Sequence, residues 1–279
     1  MSVALPAMSA PQQASWHALL DLHERHSTGW TLVGGQMVHL LCAERGAAPI
    51  RPTDDADTVL DVRADPDALL RITTTLRELE FTPGGETWTG HQHRWIREDD
   101  AVIDVLIPRH LGEKAAQRKG AGGGTTLETP SAQQALDRSE DVAVTVAERS
   151  GTVRRPNLLG ALVAKAAAHT VTLDTRRDRH VTDFAVLTTL LHPEDGAHTA
   201  TRRDRYYLDR MLRHMETNPR AWVPVEGAEQ GVERLRLALR QRATTRAAST
   251  APASAQPRTP RQAPAGWQTG ARPPSEPSR

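Results

Sequence analysis

Apolar positions recur at helical spacing near the start of the chain, at Trp16, Leu19 and Leu20 with His23 beside them, and predict an amphipathic helix over 14–26. Trp30-Thr-Leu-Val reads as a short apolar strand closed by Gly34-Gly35. Met37, Val38, Leu40 and Leu41 then mark a helix over 36–44. A strand is expected over 58–62, and Asp65-Pro66 opens a helix that reaches about Glu80. After Pro83-Gly84-Gly85 come three short strands, near Thr87, over 93–97 and over 101–107. This order, αβαβαβββ, predicts an α+β domain with an α/β-like mixed sheet backed by helices.

The pattern then dissolves into a loop over 108–141 that contains Gly120 and Gly122-Gly123-Gly124, and 141–147 alternates as one more strand. Four helices follow, over 157–170, 179–191, 201–217 and 226–241, the first with Pro156 at its entry. The expected organisation is a disordered N-terminus (1–13), a sheet domain (14–150), a helical C-terminal region (151–243) and a tail (244–279). That tail is Ala, Ser, Thr, Pro, Gln and Arg, which cannot bury enough surface to offset the entropy of ordering it. Its arginines, Arg246, Arg258, Arg261, Arg272 and Arg279, face only Glu276, so it is basic; a solvated tail is the simpler reading, contact with RNA the sharper one.

Composition narrows the classes. Across 279 residues, 35 Lys and Arg balance 34 Asp and Glu, and a net charge of +1 excludes attachment to nucleic acid by bulk charge, though not a local basic groove. The one cysteine, Cys42, excludes a disulfide framework and a multi-cysteine zinc site. No apolar run reaches the roughly 18 residues of a membrane span, and 1–13 lacks the pattern of a secretory signal, so no membrane association and a cytoplasmic location are expected. Lysine occurs only at Lys114, Lys119 and Lys165; every other long cation is arginine.

Three segments carry candidate chemistry. A strand that ends in Gly34-Gly35 and opens a helix presents backbone N–H groups at the positive end of a helix dipole, a cradle for phosphate, although a plain tight turn has the same sequence. Asp55 and Asp57 flank Ala56 at the entry to an apolar strand, where positions i and i+2 share a face. Two such carboxylates repel unless a cation lies between them, and Mg²⁺ prefers hard oxygen ligands. Asp104 sits between Ile103 and Val105, and a buried unpaired carboxylate costs several kcal/mol, so it needs a partner that a shared metal would supply. Taken singly, an acidic surface turn over 54–57 and a sheet-edge Asp104 are the plainer readings; together and in this order the residues read as a carboxylate triad.

This arrangement resembles the nucleotidyltransferase superfamily that includes DNA polymerase beta: a strand, Gly-Gly, a helix, Asp-x-Asp on a strand, then a third Asp among apolar residues. It is more closely similar to the AbiEii-type toxins and MenT-like nucleotidyltransferases, in the form Gly34-Gly35 followed by Arg51-x-Thr53-x-Asp55-x-Asp57. Lys165 and Asp183, on successive helices, match the family's helical lysine and aspartate, and the likeness covers roughly 30–191. The connection from Gly35 to Asp55 is long for the superfamily, His180 stands where its first helical acid is usual, and Phe184 replaces a leucine. The resemblance implies a nucleotidyltransferase fold with two Mg²⁺ ions on Asp55, Asp57 and Asp104. It further implies a nucleoside triphosphate such as ATP held by Gly34, Gly35, Arg51, Thr53 and Lys165, with Asp183 orienting Lys165 or the acceptor. It implies transfer of a nucleoside monophosphate to a hydroxyl of RNA, a tRNA 3′ end being the first choice, by the toxin of a toxin–antitoxin pair. Transfer to a small aminoglycoside-type acceptor and a catalytically inactive nucleotide-binding or regulatory protein are the alternatives. A compact ammonium suits triphosphate, and a lysine in a chain so rich in arginine favours that role for Lys165 over a snorkelling stem.

The remaining candidates are plainer. His91 and His93 share a strand face but lack a third ligand at a convincing spacing. Arg118-Lys119-Gly-Ala-Gly-Gly-Gly lacks the Gly-Lys-Ser/Thr ending of a P-loop. The arginines from Arg176 to Arg210 are interleaved with aspartates, which suits a salt-bridged helix face as well as an RNA groove.

Overall fold

A computed structural model describes residues 2–87 and 89–249. Its strands are β1 (Val3–Ala4), β2 (Trp30–Val33), β3 (Asp55–Leu60), β4 (Thr82–Pro83), β5 (Arg94–Ile96), β6 (Val102–Pro108), β7 (Leu127–Thr129), β8 (Ser139–Val146) and β9 (Arg149–Pro156). Its helices are α1 (Ala10–Arg25), α2 (Gly34–Glu44), α3 (Ala68–Glu78), α4 (Glu113–Ala116), α5 (Ala132–Leu136), α6 (Leu158–Ala168), α7 (Asp178–Thr189), α8 (Arg202–Thr217) and α9 (Ala228–Ser249). The fold is α+β with mixed sheets. The main sheet runs β2-β3-β6-β5-β4, with β3 and β6 parallel and β2 and β5 antiparallel to their neighbours. β7 joins β6 beyond the end of β5, so one edge of β6 is shared by two short partners. A second sheet has the order β1-β8-β9.

One hydrophobic cluster runs through the sheets and the helical half. Its largest members, Trp16, Trp30, Trp95, Phe81 and Phe184, are almost wholly excluded from water, and side chains of this class contribute about 1.5–3 kcal/mol each when fully buried. The core thus spends the chain's few aromatics where they exclude the most water. Among the described residues, no helix is long and apolar enough to cross a membrane.

Several elements depart from the expected pattern for identifiable reasons. Helix α1 begins at Ala10, because the Ser9 hydroxyl accepts the Gln12 N–H at 3.2 Å and Pro11 fits the first turn. Val3 and Ala4 pair in parallel with Val144 and Thr145, so residues 3–4 and 10–13 belong to elements. Strand β3 starts at Asp55 and stops at Leu60, three residues earlier at its start and two at its end than expected, so both acids fall in its first three residues. No strand forms at Thr87: its N–H bonds back to His91 O in a turn. The stretch expected as a loop over 108–141 contains α4, β7 and α5. Strand β9 carries too many charges to show alternation, and it crosses the expected 150/151 boundary. Its arginines are answered one by one, Arg155 by Glu44 (2.8 Å) and Glu140 (2.7 Å), and Arg154 by Asp141 (2.6 Å). For the expected tail, residues 250–279 lie outside the described residues.

Candidate active site

The site is set by one register. Asp57 on β3 stands directly opposite Asp104 on the parallel strand β6, and Asp55 shares the face of Asp57 two residues earlier. On the other side of β3, Asp57 pairs with Val33, the last residue before α2. Gly34 then turns the chain with φ +68°, and a Cβ there would lie 2.6 Å from Asp57 Cγ. A Cβ on Gly35 would lie 2.6 Å from Thr53 Oγ1. The two glycines therefore let the start of α2 press against the Asp57 and Thr53 side chains.

The segment 45–54 is fastened to α2. Gln36, fully buried, donates to Thr53 O at 2.7 Å and accepts from Trp16 Nε1 at 2.9 Å, while a His39 ring nitrogen lies 2.9 Å from Arg51 O. These contacts account for the long connection between Gly35 and Asp55: it is strapped down rather than loose. They also aim two of the predicted residues. Thr53 donates its hydroxyl to Asp55 Oδ1 at 2.9 Å, and Arg51 reaches the helical half.

In that half, Lys165 on α6 and Asp183 on α7 form a buried ion pair, Nζ to Oδ2 2.7 Å, with each residue only 3% exposed. Arg51 forks onto the same carboxylate, Nε to Oδ1 2.8 Å and Nη2 to Oδ2 2.7 Å. Burial pulls Lys165 below the usual lysine range, against the attraction of Asp183. Burial also pushes Asp183 up, but Lys165 and Arg51 outweigh it and hold the carboxyl below its usual range. The Asp183 carboxylate is thus shared by Lys165 and Arg51.

A cavity of about 370 Å³ joins the two halves, lined among others by Gly34, Gly35, Asp55, Asp57, Asp104 and Lys165. Arg176 and Arg179 also line it, adding cations from around the start of α7, and His180 lines it beside them. His180 bonds Asp174 Oδ2 at 2.9 Å; burial, then Lys165, pushes the imidazole down to about 4, so it is neutral near pH 7.

The carboxylates face this cavity without closing into one ligand cluster, since their oxygens are not among those that gather in threes within 4.8 Å of one another. Between Asp55 and Asp104 stands a guanidinium. Arg94 on β5 forks onto Asp104 at 2.9 and 2.8 Å and reaches Asp55 Oδ2 at 3.2 Å. Asp104, 6% exposed, thus has a protein partner where the sequence suggested a metal. Asp57 has no such partner. Burial, then Asp104 and Asp55, pushes it up to about 7. The donor set fits a hard divalent cation: carboxylate oxygens facing one cavity, with burial and then like charge raising Asp57, and the Arg94 guanidinium supplying positive charge between Asp55 and Asp104.

Sequence reasoning missed Arg94, Gln36 and His39. In Arg94-Trp95-Ile96 only the alternation was visible, with Trp95 turned to the core and Arg94 to the other face. That Arg94 meets Asp104 follows from the antiparallel register of β5 and β6.

No family model matches the chain, and no curated protein does. Two solved structures are similar in chain path. One is an antigenic nucleotidyltransferase-like protein from Paracoccidioides brasiliensis, 13% identical, with 77% of this chain and 94% of that one covered and a TM-score of 0.44. The other is the antibiotic-resistance factor ANT(2'')-Ia, 12% identical, covering 87% of this chain and 98% of that one at a TM-score of 0.35. Likenesses this distant carry no activity over to this chain.

Proposed function

We propose that the protein is a Mg²⁺-dependent nucleotidyltransferase that moves a nucleoside monophosphate from a nucleoside triphosphate to an acceptor hydroxyl and releases pyrophosphate. The observation that carries this reading is the register of Asp57 opposite Asp104, with Asp55 beside them, in a cavity that also holds Lys165 and the Gly34-Gly35 turn. Asp55, Asp57 and Asp104 would hold two Mg²⁺ ions, which when bound activate the attacking oxygen and neutralise charge on the leaving pyrophosphate. The backbone N–H groups at Gly34 and Gly35 and the Lys165 ammonium bind the phosphates, with Asp183 fixing the direction of Lys165. Arg94 withdraws from Asp104, whose carboxylate then orients the acceptor hydroxyl and takes its proton. The new bond joins that oxygen to the α-phosphorus, and the bond from the α-phosphorus to the bridging oxygen of pyrophosphate breaks. Arg176 and Arg179 add positive charge along the path of a polyanionic substrate.

For the acceptor we propose RNA, with a tRNA 3′ end as the first choice and a toxin–antitoxin pair as the setting; the Arg51-x-Thr53-x-Asp55-x-Asp57 pattern supports it. Labelled nucleoside triphosphates offered with tRNA in one tube and aminoglycosides in another test this choice. Label on tRNA supports it; label on the aminoglycoside alone overturns the RNA acceptor but keeps the transferase. Asp57→Asn should abolish transfer while its far-ultraviolet circular dichroism stays close to wild type. A fully active Asp57→Asn protein, or calorimetry showing no Mg²⁺-dependent binding of ATP or CTP, overturns the enzyme reading.

A further inference from the structure

Away from the carboxylates, three helix ends meet. His169 caps the C-terminus of α6, Asp178 is the first residue of α7, and His214 lies in the last turn of α8. One ring nitrogen from each histidine and one oxygen of Asp178 lie within 4.8 Å of one another, the one place among the described residues where three such atoms gather. The two rings are 4.2 Å apart between centroids, tilted by 47°. His169 is 7% exposed, and Nε2 of both His169 and His214 is buried with no hydrogen-bond partner.

Two buried, unpartnered imidazole nitrogens are costly unless something completes them. Burial, then His214 and Arg177, pushes His169 down to about 4, so its ring is neutral and offers a lone pair rather than a charge. The Asn218 amide lies 3.3 Å from His214 Nδ1. The same amide nitrogen donates to His214 O at 3.2 Å, so Nδ1 is the accepting ring nitrogen and an ion at Nε2 takes the place of the proton there.

We infer that His169, Asp178 and His214 form a binding site for a borderline transition-metal ion, Zn²⁺ being the best fit. Two imidazoles and one carboxylate make a three-ligand set of the zinc type, with a fourth position for water on the side of exposed Asp178. Tetrahedral Zn²⁺ ligands stand about 3.4 Å apart, so small side-chain rotations from the present positions close the set. The consequence is mechanical. His169 is one turn beyond Lys165 on α6, and Asp178 lies five residues before Asp183 on α7, so an ion here pins together the two helices that present the Lys165–Asp183 pair.

The test is titration of the full chain with ZnCl₂ by calorimetry, in excess MgCl₂ to occupy the carboxylate site, with Co²⁺ as a spectroscopic probe. One equivalent of Zn²⁺ should bind, raise the melting temperature and give the visible absorption of a tetrahedral Co²⁺ complex. His169→Gln and, separately, His214→Gln should weaken binding at least tenfold, whereas Asp57→Asn should not. Each glutamine variant is melted without metal to confirm that it folds, and Asp178→Asn serves if either does not. Wild-type binding no tighter than that of the variants, or binding lost in Asp57→Asn instead, overturns the site. Neither result bears on nucleotide transfer, which is read separately by label incorporation.

Discussion

Arg94 and Asp104 face each other across the antiparallel pairing of β5 and β6, and the guanidinium closes on the carboxylate with two hydrogen bonds of 2.9 and 2.8 Å. The same guanidinium reaches Asp55. Donating these hydrogen bonds to Asp104 makes Arg94 hold its proton more firmly than usual. Arg94 is the internal counter-ion of a site read as binding metal, and it competes with any ion that binds there.

That competition has a measurable sign. Arg94→Gln removes the fork and leaves Asp104 poorly partnered, which should cost the metal-free protein about 1–2 kcal/mol, a figure kept small because the Arg94 side chain is half exposed. Mg²⁺ should then raise the melting temperature of the variant more than that of wild type. Thermal melts in EDTA and in MgCl₂ check this, and equal Mg²⁺ shifts in the two proteins would refute it.

Lys165 and Asp183 should respond unequally to removal. Lys165→Met keeps the stem's volume, and Asp183 retains its fork from Arg51, so the stability loss should be modest while triphosphate binding is lost. Asp183→Asn leaves a buried ammonium beside a guanidinium with no countercharge, a loss of about 3–5 kcal/mol. Denaturant midpoints for the two variants, with nucleotide titrations of Lys165→Met, give the ordering. A greater loss in Lys165→Met would contradict it.

Legibility in the sequence followed the range of the interaction. Asp55 and Asp57 share a face because they are two residues apart, and Gly34-Gly35 ends an apolar run, so both could be read locally. Asp104 was conspicuous as a charge among apolar neighbours. Arg94 was not, because its meaning depends on which residue of β6 it opposes. Strand β9 was hidden by arginines whose partners Glu44 and Asp141 lie in other elements. The glycines were read as a phosphate cradle, whereas the structure also gives them a steric task against Asp57 and Thr53 that only the fold discloses. His169 and His214 sit 45 positions apart and meet only through helix packing, so no spacing rule could join them.

The crowding at Asp57 predicts a pH dependence of the metal-free protein. The unfolded carboxyl loses its proton near the ordinary value of 3.8, and the folded one at about 7. Between these values the folded state holds a proton that the unfolded state has released, so stability falls as pH rises. Asp57's contribution is fully present below the unfolded value and is lost on passing through the folded one. In EDTA, wild type should therefore lose more melting temperature between pH 5 and pH 8 than Asp57→Asn, whose amide does not titrate. Mg²⁺ should narrow the difference by favouring the ionised carboxylate. Parallel melting profiles for the two proteins in EDTA would remove the raised Asp57 from the account.

Gly34→Ala and Gly29→Ala separate backbone strain from steric intrusion at the carboxylates. Both glycines have positive φ, +68° at Gly34 and +81° at Gly29, so alanine at either should cost about 1–2 kcal/mol in backbone conformation. A Cβ at Gly29 meets nothing within 4 Å, whereas one at Gly34 overlaps the Asp57 carboxylate and must displace it. Gly29→Ala should lower stability and leave nucleotide transfer close to wild type at a temperature where it is folded. Gly34→Ala should lose more stability and at least tenfold in transfer, because Asp57 can no longer lie opposite Asp104. Melting temperatures and label incorporation for the pair provide the comparison. Equal transfer by both variants would mean that the close approach of Gly34 to Asp57 plays no part in the chemistry.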